Sequence, residues 1–251
     1  MPVFAVYGPG EIAIVFAVYL FAATAKGVTG LGFSTVCLAP LALTVGLKET
    51  LPLLLIPSVV SNILVMVGAG SFGAACGRFW PMLLTTVPGV IVGLWLLASV
   101  DGVAAGAALG VVLILWCAFA FAKPEMRLPA RLERPLSPAS GLLTGIVNGL
   151  TGSQVMPSMP FLMSLSLPRD VFLQAINLSF TLSSLVMAVG LTRLGLMTLD
   201  AVVISTCGIA CVWIGIRLGS RIRHKLSPDQ FRLMVLAMLC VMGLTLIARA
   251  L

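Results

Sequence analysis

Between residues 11 and 250 the chain is an almost unbroken series of apolar segments, at roughly 11–26, 32–46, 50–70, 81–99, 103–122, 139–150, 152–166, 171–190, 199–219 and 230–250. A helix of about 20 apolar residues spans the hydrocarbon core of a bilayer. Six of these segments have that length, and little chain remains between them for a soluble domain. Charged residues make up 9% of the 251, against about 25% in a soluble domain. So few charges cannot cover a water-exposed surface, and the sequence reads as an all-α integral membrane protein. The first 25 residues carry Glu11 as their only charge and no basic start, so 11–26 is read as mature chain rather than a cleaved leader.

The four short segments come in two pairs, each joined by a polar, glycine-bearing stretch. The first is KGVTGLGFSTVCLAP from Lys26 to Pro40, and the second is NGLTGSQVMPSMP from Asn148 to Pro160. Twelve helical residues rise only about 18 Å against a core of roughly 30 Å. Segment 139–150 therefore falls short of a crossing, and each pair is expected to form two half-helices meeting inside the membrane. The proline-rich stretch KPEMRLPARLERPLSP, 123–138, is expected to be a cytoplasmic linker without long regular helix. It divides the chain into a first transmembrane repeat, 1–122, and a second, 139–251. At an offset of 122, Gly27, Thr29 and Gly30 align with Gly149, Thr151 and Gly152, Ser61 with Ser183, and Gly93 with Gly215.

Basic residues give the orientation. With the linker in the cytoplasm, that side holds Arg78, Lys123, Arg127, Arg131, Arg134, Arg169, Arg217, Arg221, Arg223, Lys225 and Arg232, whereas Lys48, Arg193 and Arg249 lie outside. This is the bias of cytoplasmic loops toward Lys and Arg, and it places both termini outside. The net charge of +7 is thus a matter of membrane orientation, not a nucleic-acid-binding face. The first half then starts outside and the second inside, so the expected fold is two inverted repeats, each a broken-helix hairpin plus three spanning helices. Such repeats, interrupted at matching positions, are built into many secondary transporters, with the binding site at the breaks.

Lys26 is the remaining member of the 15 basic residues and lies within an apolar run. A lysine at membrane depth points to function. Irregular backbone at that depth lines a polar cavity or is buried in protein. Helix starts near Gly32 and near Ser153 would direct positive dipole ends and free N–H groups at such a cavity. The candidate substrate-binding residues are therefore Lys26, Gly27, Thr29, Gly30, Gly32, Ser34, Asn148, Gly149, Thr151, Gly152, Ser153 and Gln154, with Thr35 as a further donor. No Asp or Glu occurs in either stretch, which suits a small oxyanion. Plainer roles stand beside this one. Glycines allow close helix packing, Lys26 can snorkel, the hydroxyls can bond their own backbone, and Asn148 and Gln154 can bridge helices.

Chemistry of other kinds has little support. Cys207 and Cys211 are four apart, but one His in the chain and no nearby carboxylate argue against a metal, and packing is the simpler role. No cofactor is indicated. No buried His, Asp or Glu constellation suggests an enzyme.

The two glycine-bearing hairpins, the proline beyond each and the basic linker between matching halves resemble the sulfite exporter TauE/SafE family over essentially the whole chain. That family usually has more glycine where Ser153 and Gln154 stand here. The resemblance implies a multi-pass transporter of the bacterial inner membrane with about eight spans. Its implied cargo is sulfite, a sulfonate or a related small anion. Without a carboxylate at the hairpins, potential-driven export by alternating access is the expected mechanism, and an anion channel using the same site is the rival.

Overall fold

The computed structural model describes residues 7–122, 126–222 and 228–251, and for 228–231 the backbone only. Lys123, Arg223, His224 and Lys225 lie outside the described residues. Among those described, every regular element is a helix. They are α1 (Pro9–Thr29), α2 (Phe33–Val45), α3 (Leu47–Ala69), α4 (Phe72–Ser99), α5 (Gly102–Ala122), α6 (Ala130–Thr151), α7 (Ser158–Met163), α8 (Arg169–Arg193), α9 (Leu199–Ile222) and α10 (Pro228–Ala248). Six of them, α1, α3, α4, α5, α8 and α9, are long and apolar enough to cross a membrane.

Three elements differ from the sequence expectation. First, α1 is a full-length helix of 21 residues, not a half-helix ending at 26. Pro9 at the first helical turn and the Gly8 N–H donating to Glu11 Oε2 at 2.9 Å start it. It runs on through Lys26 because that side chain finds partners inside the protein, and it stops at Gly30, whose φ of 84° is left-handed. Second, α6 begins at Ala130, inside the stretch expected to stay irregular, and carries Pro135 and Pro138 within the helix. Its anchoring to α4 offsets the lost backbone bonds. Arg78 pairs with Glu133 through its Nε and Nη2 at 2.6 and 2.8 Å. The Thr85 hydroxyl donates to the Pro138 carbonyl at 2.7 Å. The same guanidinium holds the Glu133 carboxyl below the usual carboxylate range. Third, α7 is six residues long and starts at Ser158, so Ser153 does not open a helix. Pro157 explains the delay, since the residue before a proline is driven out of the helical region.

Glycines set how closely the long helices approach. Along α4 and α6, Gly93 faces Gly149 and Gly89 faces Gly145; a methyl on Gly149 would run into the Val90 carbonyl and come within 2.8 Å of Gly93. Along α1 and α9, Gly27 faces Gly219 and Gly215 faces Ala23. Backbones meet this closely only where side chains are missing. On α9 it is Gly219 that meets Gly27, four residues beyond the Gly215 that the constant offset aligns with Gly93.

Long-range hydrogen bonds define two ends of the bundle. At one, Tyr7 donates to the Glu49 carbonyl, Lys48 to that of Val100 and Arg249 to that of Leu43. This gathers the starts of α1 and α3 with the ends of α2, α4 and α10. At the other, Arg78 meets Glu133, the Leu128 N–H donates to the Ser164 carbonyl, and Arg232 donates to that of Ala120. There the starts of α4, α6 and α10 meet the ends of α5 and α7. The α1–α2 hairpin thus has its open side at the first end and the α6–α7 hairpin at the second.

Candidate functional site

Lys26 lies near the C-terminus of α1 and is 3% exposed. Its ammonium donates to Ser61 Oγ at 3.1 Å, Asn62 Oδ1 at 2.5 Å and Asn177 Oδ1 at 3.2 Å. Three donors meet three acceptors from α3 and α8, so the geometry fits the protonated side chain. No carboxylate is among these partners. The charge is held by neutral dipoles rather than an ion pair, which leaves its field available to an anion. Ser61, Asn62 and Asn177 were missed as site residues because they lie in long apolar helices outside both hairpin stretches. The faces of α3 and α8 that carry Ser58, Ser61, Asn62 and Asn177, Ser183, Ser184 were the available signal.

Next to it, a cavity of about 530 Å³ lies between the tip of the first hairpin, α7 and the starts of α8 and α10. Ala25 and Thr29 on either side of Lys26 line it, as do Gly32 and Thr35; Lys26 itself does not. Gly32 caps α2 with a φ of 92° and no side-chain cap, so the first N–H groups of α2 have no partner within the helix. Arg169 and Arg232 supply the cavity's charge, and no Asp or Glu lines it among the described residues. Both arginines were read from sequence as orientation signals only. Their contribution depends on the starts of α8 and α10 lining one cavity, which spacing along the chain does not reveal.

The other candidates are dispersed among several roles. Thr29 and Thr151 donate to the carbonyls of Ala25 at 2.9 Å and Val147 at 2.7 Å, within their own helices. Ser34 pairs with Ser58 at 2.7 Å. Gly27 and Gly149 sit at helix crossings, while Gly30 and Gly152 are left-handed helix ends with φ of 84° and 75°. In the second hairpin, Asn148, Ser153 and Gln154 are all buried. The Gln154 amide donates to Ser184 Oγ at 3.0 Å.

A buried lysine, a helix start free of side-chain caps and a cationic cavity occur here in one helical membrane bundle. The family model for the sulfite exporter TauE/SafE matches residues 15–246. The chain belongs to the sulfite exporter TauE/SafE family. No curated protein and no solved structure matches it. The TauE/SafE match takes in both hairpins and all the helices that build the cavity. It makes the chain a multi-pass membrane protein of a transporter family.

Proposed function

We propose that this TauE/SafE protein exports a small sulfur-containing or organic oxyanion of the sulfite and sulfonate class across the bacterial inner membrane by alternating access. The observation that carries the proposal is the buried Lys26 ammonium, held by neutral oxygens beside a cavity whose described charges are all positive. A desolvated positive charge without a carboxylate partner favours an anion far more than the same charge in water. In this reading the anion enters past Arg169 and Arg232, is held by the α2 N–H groups at Gly32 to Thr35, and reaches Lys26. The remaining residues of the two hairpin tips, Gly27 to Ser34 and Asn148 to Gln154, shape the binding region.

The end of the bundle bearing Arg78, Arg127, Arg131, Arg169 and Arg232 is taken as cytoplasmic, and the end bearing Lys48 and Arg249 as external, with both termini outside. The cavity then faces the cytoplasm, as loading for export requires. Two inverted repeats, 1–122 and 139–251 about the linker 123–138, are supported by the packing. Helix α1 lies on α9 as α6 lies on α4, and the two hairpins open to opposite ends. Two such bodies can rock against each other around a fixed site. The inside-negative potential favours outward movement of an anion by roughly 2.3 kcal/mol per charge per 100 mV.

The test is flux in proteoliposomes under a set potential, with sulfite, sulfate, sulfoacetate and thiosulfate. Potential-dependent flux of one of them that falls at least about tenfold in Lys26→Gln, a loss of ~1.4 kcal/mol, is the expected outcome. Flux unchanged in Lys26→Gln removes the lysine from the site. Absence of flux for every anion removes the substrate class. Unitary currents instead of carrier turnover replace alternating access with a channel.

A further inference from the structure

Lys26 and Asn148 occupy the same place at two helix ends. Each lies four residues before a left-handed glycine whose N–H donates to its carbonyl, Gly30 to Lys26 at 2.6 Å and Gly152 to Asn148 at 2.7 Å. The side chains differ in reach. Lysine carries an ammonium beyond four methylenes and places it on Ser61, Asn62 and Asn177; asparagine ends after one.

Around Asn148 several buried polar atoms remain without partners. Neither atom of its side-chain amide has a hydrogen bond, and neither do Ser153 Oγ, Gln154 Oε1 or Ser183 Oγ. Asn148 and Ser153 are 0% exposed, Ser183 1% and Gln154 4%. Unpartnered polar groups this deeply buried are costly and uncommon. Hydrogen bonds tie together the segments that carry these groups. The Ser158 N–H donates to Thr144 Oγ1, one turn before Asn148, at 3.0 Å, and the Ser158 hydroxyl to the Gln154 carbonyl at 3.1 Å. Gln154 in turn bonds Ser184, next to Ser183.

We propose that Asn148, Ser153, Gln154 and Ser183 form a binding site for a monovalent cation, Na⁺, at the place matching the Lys26 ammonium. The donor chemistry favours a monovalent over a divalent ion. The groups offer four neutral oxygens with no carboxylate, whereas Ca²⁺ sites draw on several carboxylates. An anion is disfavoured because no cationic side chain belongs to the cluster, while Ser61 Oγ, which Ser183 matches at the offset of 122, already accepts from the Lys26 ammonium. A sodium ion here adds a second positive charge for the transported anion. That purpose rests on the transporter reading, but cation binding is measured without transport.

The experiment uses the full chain in lipid nanodiscs, with ²²Na⁺ binding and thermal unfolding in NaCl against choline chloride at constant ionic strength. Wild type is expected to bind Na⁺ saturably, with Tm rising to a plateau. Asn148→Lys brings its own ammonium and is expected to stay folded while losing both responses. Ser183→Ala is expected to weaken Na⁺ binding by about tenfold, the loss of ~1.4 kcal/mol from one ligand. Absence of saturable Na⁺ binding in wild type, or binding unchanged in Ser183→Ala and in folded Asn148→Lys, overturns the site. Na⁺ binding without flux of any sulfur anion keeps the cation site and rejects the proposed cargo. Anion flux in the absence of Na⁺ binding does the reverse.

Discussion

At the residue scale, the arrangement turns on how one buried ammonium is kept without a counter-ion. Removing a charge from water is expensive unless polar groups replace its hydration. Ser61, Asn62 and Asn177 replace it for Lys26 with three oxygens. Arg169 is the more accessible partner in the proposed path, lining the cavity at the first residue of α8. Hydrogen bonds to charged groups contribute about 1.5–3 kcal/mol. Arg169→Gln is therefore expected to raise the KM for anion flux roughly tenfold or more while leaving the maximal rate near wild type. Initial-rate flux against anion concentration checks this, and an unchanged KM would exclude Arg169 from the entry path. Lys26 stood out in the sequence because a lysine in an apolar run is rare. Asn62 and Asn177 did not, because their role exists only where α3 and α8 meet.

At the element scale, glycine does two different things. Gly30 and Gly152 end helices in a left-handed conformation that other residues seldom adopt. Gly149 instead lets α6 lie against the backbone of α4. A side chain there displaces a whole helix, since the obstacle is the Val90 carbonyl rather than a mobile side chain. Gly149→Val is expected to destabilise the protein by at least the ~1–3 kcal/mol of an overpacked core. Gly68→Ala is the control: it lies in α3 with nothing within 4 Å of the added methyl. It is expected to change stability by no more than about 1 kcal/mol. Thermal unfolding in one detergent compares the two variants, and equal melting would refute the packing role. The α6 helix also marks where local rules fail. Proline density argued for an irregular 130–138, but contacts with α4 hold it helical.

At the scale of the whole molecule, the proposed topology assigns the bundle's two ends to opposite sides of the membrane. In a cysteine-free background, a cysteine at Lys48 is expected to react with an impermeant maleimide on intact cells, and one at Arg131 only after the membrane is opened. Labelling of both from one side would refute that orientation. The sequence by itself determined that this is a helical membrane protein, that two polar breaks interrupt it, and that Lys26 is out of place. These follow from composition and from spacing along the chain, which the energetics of a bilayer make legible. Only the tertiary structure decided what Lys26 rests on, that α1 and α6 are long helices while α7 is six residues, and that Gly27 meets Gly219. It also decided that Arg169 and Arg232 share a cavity, and that Asn148 lies among unpartnered oxygens. Each of these depends on residues far apart in the chain meeting across helix crossings, and a helix keeps its apolar composition whichever neighbour its few polar atoms face.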